Sequence, residues 1–177
     1  RMQRDELGTT CRVCCVGAAG VGKTALTNMF AIRRFSEAYD PTVEEELRQE
    51  CVPVVGPLAM HYSDPGLAAL VHYRRLLVDG QLVTLDILDT GGDDDFRHML
   101  EGYARDYEAF ILVYAVDDHP SFESLDREFA APIRAAREAR TGEDADQMLP
   151  IVLVANKCDL KASVSNYDGE QLAARLD

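Results

Sequence analysis

One stretch of eight residues constrains this chain more than any other. Residues 17–24, Gly-Ala-Ala-Gly-Val-Gly-Lys-Thr, fit the phosphate-binding loop pattern G-x-x-x-x-G-K-[ST] at every fixed position. An apolar run ending at Val16 precedes the stretch, and a segment with helical apolar spacing follows it from Ala25. This context matches the motif, because such a loop works between a buried strand and the start of a helix. The alternative is an ordinary glycine-containing turn that agrees with the pattern by chance.

The chemistry of this loop predicts a site for the phosphates of a nucleotide. Glycine lets the backbone wrap closely around an anion, and the N–H groups at the start of the helix point toward it. Lys23 supplies a positive charge for the β- and γ-phosphates, and the Thr24 hydroxyl is a ligand for Mg²⁺. The residues predicted to contact the nucleotide here are Ala19, Gly20, Val21, Gly22, Lys23, Thr24 and Ala25.

Composition bounds the class of protein. With 177 residues, 47% of them hydrophobic and 28% charged, the chain suits one globular domain with a substantial core. Asp and Glu number 31 against 18 Lys and Arg, so the net charge of −13 disfavours direct binding to nucleic acids or anionic membranes. No apolar run is long enough to span a membrane, and the charged first residues do not form a signal peptide.

The five cysteines do not form an evident disulfide framework. Cys11 and Cys14 have C-x-x-C spacing, which suits zinc or redox chemistry, but no second ligand pair follows at zinc-site spacing. Burial as small apolar side chains on the strand before the loop is the favoured interpretation. Cys51 and Cys158 have no obvious partners, so we expect a reducing, cytoplasmic location.

Strands alternate with helices along the chain, which predicts an α/β fold with a mostly parallel sheet. Residues 1–10 are expected to be a loose lead-in, residues 35–43 a loop, and residues 45–55 a less certain strand. Strands are predicted at residues 11–16, 73–78, 82–88, 109–116 and 149–155, the second and third forming a hairpin through Asp79-Gly80. Helices are predicted from the loop to about residue 33, at 96–107, at 121–140 with Ser121 as N-cap, and from 169 onward.

Two further polar clusters follow apolar strands, at the edge of the sheet where ligands bind. Asp89 stands where phosphate-loop NTPases hold Mg²⁺, although a strand-end turn aspartate is the alternative. Gly92 can approach the γ-phosphate through its backbone N–H. Asn156, Lys157 and Asp159 form an N-K-x-D tetrad, in which the Asp159 carboxylate accepts two hydrogen bonds from guanine. Adenine offers no such donor pair, so this residue favours GTP over ATP.

Together these motifs resemble the small GTPases of the Ras family. The resemblance covers about residues 13–43 and 73–160, and residues 39–44, Tyr-Asp-Pro-Thr-Val-Glu, are most similar to the effector loop of Ras and Rap. It implies a three-layer phosphate-loop NTPase fold and a switch that GTP with Mg²⁺ turns on and hydrolysis turns off. It also implies that Thr42 binds Mg²⁺ and the γ-phosphate, that Phe35 packs on guanine, and that effectors, an exchange factor and a GTPase-activating protein are partners.

The chain departs from the family pattern near the phosphates. Asp93 replaces the glutamine that orients the attacking water, and a carboxylate adds negative charge without a hydrogen-bond donor. Asp94 and Asp95 add to this charge, and the Ala19 methyl occupies a position that is glycine in Ras itself. By the same resemblance, the catalytic residues are Lys23, Thr42, Gly92 and Asp93. The departures at Ala19 and at residues 93–95 predict slow GTP hydrolysis and a poor response to an activating protein.

Two departures concern the length of the chain. Residues 46–71 are predicted to be an insertion within one domain that covers residues 1–177. The last strand and helix of the family, its S-A-K segment and a prenylation cysteine are absent, so membrane attachment is expected only if a further C-terminal tail is lipidated. One rival interpretation is a GTP-binding pseudo-GTPase that acts as a scaffold. Another is a truncated form that holds no nucleotide and competes for partners, whereas an ATPase is disfavoured by Asp159.

Overall fold

The mostly parallel sheet predicted from the sequence is present in the computed structural model, which describes residues 4–5, 8–32, 70–92, 98–139 and 149–176. Its strands are β1 (Arg4–Asp5), β2 (Gly8–Val16), β3 (Leu70–Val78), β4 (Gln81–Asp89), β5 (Ala109–Ala115) and β6 (Ile151–Asn156). Its helical segments are α1 (Lys23–Ile32), α2 (Leu100–Asp106), α3 (His119–Ser124), a π-helical segment (Leu125–Ala130), α4 (Ala131–Glu138) and α5 (Asn166–Leu176).

The strand order brings the predicted motifs to one edge of the sheet. The order is β3-β4-β2-β5-β6, with the short β1 paired antiparallel to β2. Strand β2 runs parallel to β4 and β5, and β5 runs parallel to β6, whereas β3 is antiparallel to β4. Because the carboxyl ends of β2, β4, β5 and β6 therefore meet at the same edge, the loops that follow them form one crevice.

Both faces of the sheet are covered, as the continuous apolar run in β2 predicts. Cys14 and Val16 belong to one core, which is completed by residues of helices α2, α4 and α5. Val13 and Cys15 belong to a second core on the other face, where Leu26 and Phe30 of α1 pack. The three layers are thus helices, sheet and helix, with β2 in the centre.

The antiparallel hairpin is confirmed at its predicted turn. Asp79 and Gly80 both have positive φ values, +50° and +77°. This is the backbone of the two-residue turn that the Asp-Gly pair favours between twisted strands. β3 begins at Leu70, three residues before the predicted start, so Val71 pairs with Leu88 in the sheet. The rest of the predicted insertion lies outside the described residues, as does the strand predicted at 45–55.

The start of the first strand was predicted incorrectly. Residues 8–10 belong to β2, and Arg4 and Asp5 pair with Thr9 and Gly8, although residues 1–10 were expected to be a loose lead-in. Thr9 and Thr10 are polar, so this part of the strand lacks the apolar pattern on which the prediction relied. As β-branched residues, however, they suit an extended backbone.

The long helix predicted at residues 121–140 begins earlier and is not uniform. Asp118 is the N-cap, and its side chain accepts a hydrogen bond from the Ser121 N–H. Ser121 is instead buried inside α3, where its hydroxyl accepts from the Ala115 N–H at 3.1 Å. A π-helical segment interrupts the α-helix at Leu125–Ala130, and hydrophobic periodicity alone does not distinguish such a segment.

Several other element ends differ from the predictions by a few residues. α2 begins at Leu100 rather than residue 96, and Tyr107 is its C-cap. α5 begins at Asn166 rather than residue 169, because Ser165 caps it through the Asp168 N–H at 3.1 Å. The strands β5 and β6 end at Ala115 and Asn156, each one residue away from the predicted end.

Candidate functional site

The phosphate-binding loop connects β2 to α1 with the backbone that its glycines permit. Gly20 and Gly22 have φ values of +73° and +93°, a region that side chains disfavour. A Cβ at Gly22 would overlap the Asn156 side-chain amide, and one at Gly17 would overlap the Val113 carbonyl oxygen. Each fixed glycine of the motif therefore has a conformational or packing reason, which argues against a chance match.

Lys23 lies across this loop with its ammonium group inside it. The side chain is only 5% exposed, and Nζ donates to the carbonyl oxygens of Gly17 and Ala18, at 2.9 Å each. The loop carbonyls thus hold the positive charge over the backbone that would surround a phosphate. The contact of Lys23 with the β- and γ-phosphates stays a prediction.

Asp89, at the end of β4, has a buried carboxylate that lacks hydrogen-bond partners within the described part of the chain. The residue is 2% exposed, and neither side-chain oxygen accepts a hydrogen bond there. Burial raises the pKa of this carboxyl to about 6, although the nearby Thr24 hydroxyl, Lys23 ammonium and Thr27 hydroxyl act to lower it. A buried charge without partners is costly, so the site favours an added cation.

This donor set fits Mg²⁺. The cation prefers hard oxygen ligands and is usually bound by one or two protein groups together with phosphate oxygens and water. Asp89 would supply the carboxylate and the nearby Thr24 the hydroxyl, the two ligands that the sequence predicts here. The third predicted ligand, Thr42, lies outside the described residues. Thr90 fixes the end of β4, because its hydroxyl and N–H both donate to the Cys15 carbonyl oxygen, at 2.8 and 3.3 Å.

Gly92 lies directly against the phosphate-binding loop. A Cβ at this position would overlap the backbone nitrogen and Cα of Ala19, and would lie 2.6 Å from the Ala18 carbonyl carbon. Only glycine allows this approach. The structure therefore places Gly92 beside the phosphate-binding loop, and its contact with the γ-phosphate stays a prediction, whereas the next residue, Asp93, lies outside the described residues.

Asn156 connects the N-K-x-D tetrad to the phosphate-binding loop. Its side-chain Nδ2 donates to the Val21 carbonyl oxygen at 2.8 Å, 135 residues away in sequence. Its carbonyl oxygen accepts from the Val116 N–H at 2.9 Å. Asn156 is thus a structural brace within the predicted nucleotide site, a role that the four-residue motif does not reveal.

The remaining tetrad residues form an exposed turn after β6. Lys157 has a positive φ of +60°, and its carbonyl oxygen accepts from the Leu160 N–H at 2.9 Å. Cys158 and Asp159 are both exposed in this turn, so the Asp159 carboxylate is open to a ligand. Phe35, predicted to pack on the guanine, lies outside the described residues.

Two residues that the sequence did not single out support the turn. Ser163 donates to the Val116 carbonyl oxygen through both its N–H and its hydroxyl, at 2.7 and 3.1 Å. Val164 donates to the same oxygen at 3.1 Å, so the segment after the tetrad is attached to the end of β5. No local sequence signal identifies these contacts, because their partner is 47 residues away for Ser163.

The C-x-x-C pair lies on β2 as expected but cannot act as one ligand pair. Cys14 is fully buried in the first core, whereas Cys11 packs against the second core on the opposite face. Residues three apart on a strand point to opposite faces, which separates the two thiols. Burial raises the pKa of both thiols, as expected for small core side chains.

Within the described ranges, no helix is both long and apolar enough to cross a bilayer.

Comparison with known protein families agrees with the geometry of the site. The family described as Ras family matches residues 12–58 and 61–177, which includes the phosphate-binding loop, Asp89, Gly92 and the N-K-x-D tetrad. The match reaches beyond residue 160, where the resemblance in sequence motifs ends. This chain therefore belongs to the Ras family, the small GTPases that act as GTP-binding switches.

Proposed function

We propose that this chain binds GTP and GDP with Mg²⁺, hydrolyses GTP slowly, and signals through loops whose conformation depends on the nucleotide. The observation that carries the binding proposal is the Asp89 carboxylate, which is buried near Thr24 and Lys23 and accepts no hydrogen bond from the residues that the structure describes. Folded proteins rarely bury a polar group without a hydrogen-bonding or ionic partner. A bound cation with phosphate would supply that partner for the Asp89 carboxylate.

Each residue of the crevice has a distinct part in binding. Lys23 and the N–H groups at the start of α1 hold the phosphates, and Asp89 and Thr24 hold Mg²⁺. When bound, Mg²⁺ neutralises charge on the phosphate oxygens. Asp159 selects guanine, while the Asn156 amide keeps the guanine turn and the phosphate-binding loop at a fixed separation. By the family resemblance, Thr42 adds a ligand in the GTP state, and Phe35 covers the base.

Slow hydrolysis follows from the residues around Gly92. In the sequence, Asp93 directly follows Gly92, the glycine that lies against Ala19. A carboxylate there accepts hydrogen bonds from water but donates none, and it repels the γ-phosphate. The Ala19 methyl, exposed at the same place, obstructs an arginine supplied by an activating protein.

The same two residues favour a second candidate, a GTP-binding pseudo-GTPase that acts as a scaffold. Both candidates use effector contacts through residues 39–44, and we place both in the cytoplasm. They differ only in whether bound GTP is turned over.

Two measurements on the purified protein test these proposals. Guanine nucleotide near one per chain, released by denaturation and identified by ion-exchange chromatography, supports the binding site, whereas an empty protein argues against it. Single-turnover hydrolysis then separates the candidates. Asp93→Gln with Ala19→Gly is expected to raise the rate by roughly tenfold to a hundredfold, and a wild-type rate typical of efficient family members would contradict the slow-hydrolysis proposal.

A further inference from the structure

Helix α1 is held at both ends by residues of other elements. Its first residues, Lys23 and Thr24, belong to the phosphate site. Near its other end, Nη1 of Arg74 in β3 donates to the Phe30 carbonyl oxygen. The Arg74 guanidinium carbon also lies 4.7 Å from the centroid of the Phe30 ring. One side chain thus contacts both the backbone and the ring of the same residue.

The Phe30 carbonyl is well placed for such a contact. Phe30 lies in the last turn of the described helix, and carbonyl groups near a helix end commonly take hydrogen bonds from outside the helix. A cation at this end also interacts favourably with the helix dipole. A guanidinium is suited to both contacts, since it is planar, donates hydrogen bonds in its plane and stacks on an aromatic face. Arg33 and Arg34 follow α1 in the sequence but lie outside the described residues.

The position of α1 matters because the helix is short and carries the phosphate site. Ten residues extend about 15 Å, and an isolated helix of this length is only marginally stable. Contacts with the rest of the protein therefore determine where it lies. Leu26 and Phe30 pack on the second core, and Arg74 fixes the end of the helix that is remote from the phosphates. A shift of that end moves Lys23 and Thr24 with it.

On the other side, Arg74 is anchored in the hairpin that carries Asp89. Arg74 pairs with Leu85 in the ladder of β3 and β4, and the same strand β4 ends in Asp89. The helix with Thr24 and the strand with Asp89 are therefore connected by one arginine outside the site. Those two residues are the proposed Mg²⁺ ligands within the described residues, so their separation would determine how well the cation and phosphates are held.

We infer that Arg74 is a positioning residue for nucleotide retention, which joins the β3–β4 hairpin to helix α1. This inference rests on the proposed nucleotide site. It adds a residue outside the crevice that affects how long the nucleotide stays bound. Loss of the Arg74 contacts loosens α1 relative to Asp89 and speeds the release of the nucleotide.

The test is the dissociation rate of a fluorescent GDP from the full chain with Mg²⁺. Arg74→Gln, which removes the charge and most of the stacking, is expected to raise this rate about tenfold. Arg74→Lys keeps a charged donor for the Phe30 carbonyl, so it is expected to recover part of the retention. Phe30→Leu keeps the carbonyl but removes the ring, and its effect is expected to be less than additive with that of Arg74→Gln.

Arg134 provides a matched control. Its Nη1 donates to the Arg175 carbonyl oxygen near the end of α5 at 3.2 Å, which is the same kind of contact on a helix that carries no phosphate ligand. Arg134→Gln is expected to lower the unfolding temperature yet leave GDP release within about twofold of wild type. Equal acceleration by both substitutions would reduce the Arg74 effect to general destabilisation and overturn the inference.

Two further results would also overturn it. One is a release rate for Arg74→Gln within twofold of wild type. The other is Arg74→Lys with no recovery, since the charged hydrogen bond would then have no part in retention. A wild-type chain that retains no fluorescent GDP would refute the proposed nucleotide site itself, and the two failures are therefore distinguishable.

Discussion

Replacement of Asp89 by asparagine should stabilise the protein when metal is absent and weaken it when Mg²⁺ and GDP are present. The reason is the free-energy cost of burying the ionised Asp89 carboxylate. This residue is 2% exposed and has no hydrogen-bond partner among the described residues. Burial raises its pKa from 3.8 to about 6. That difference of about 2 corresponds to about 3 kcal/mol that the folded protein loses when the group is ionised at neutral pH.

The sign of the pH dependence follows from the same two pKa values. Above about pH 6, the Asp89 carboxyl is ionised in both the folded and the unfolded chain, so the full cost is present. Between about pH 6 and 3.8, the folded chain binds a proton that the unfolded chain does not. The contribution of Asp89 to stability therefore increases on acidification through this window and is lost again as the pH rises.

The assay is urea unfolding in EDTA at pH 7 and pH 5. At pH 7, Asp89→Asn is expected to raise the free energy of unfolding by about 1–2 kcal/mol, less than the full cost because the buried amide also lacks partners among the described residues. The gain should shrink at pH 5, where wild-type Asp89 is mostly protonated in the folded chain. With Mg²⁺ and GDP, wild type should become the more stable protein, since Asp89→Asn removes a charged metal ligand.

Asp86, on the same strand, is the matched control. Burial also raises the pKa of its carboxyl to about 6, against the lowering effect of Arg12, but the residue lies outside the crevice. Asp86→Asn should remove a similar pH dependence, because both carboxyls have a pKa of about 6, and leave GDP affinity unchanged. The reasoning is refuted if Asp89→Asn destabilises the metal-free protein at pH 7, or if Asp86→Asn weakens GDP binding as much as Asp89→Asn does.

Three other substitutions test separate parts of the site. Asn156→Ala removes the hydrogen bond to the Val21 carbonyl and should weaken GDP binding about tenfold, measured by titration; unchanged affinity would show that the brace is dispensable. Gly92→Ala places a methyl group against the Ala19 backbone, so a non-hydrolysable GTP analogue should lose affinity relative to GDP, and an unchanged ratio in competition binding would contradict the close approach. Asp159→Ala removes the guanine acceptor and should reduce the preference for GTP over ATP by about a hundredfold or more, whereas a preserved preference would place base selection elsewhere.

Much of the candidate site could be predicted from the sequence, because the backbone conformation of a loop or turn depends mainly on its own residues. Gly20 and Gly22 occur where the loop needs positive φ, and Asp79-Gly80 forms the two-residue turn that those residues favour. The alternation of apolar strands and helices was enough to predict a parallel sheet, and the position of Asp89 at a strand end followed from it. Phe35, Thr42 and Asp93 lie outside the described residues, so their roles stay predictions.

The distant residues that support this site could not be found without the folded structure. The contacts of Asn156 with Val21, Ser163 with Val116 and Arg74 with Phe30 join segments far apart in the chain. Hydrogen-bonding side chains such as these have many possible partners, and only the packing of strands and helices selects one of them. That the Asp89 carboxylate accepts no hydrogen bond within the described ranges is equally a product of packing, since sequence gives the residue type but folding sets its burial and its neighbours.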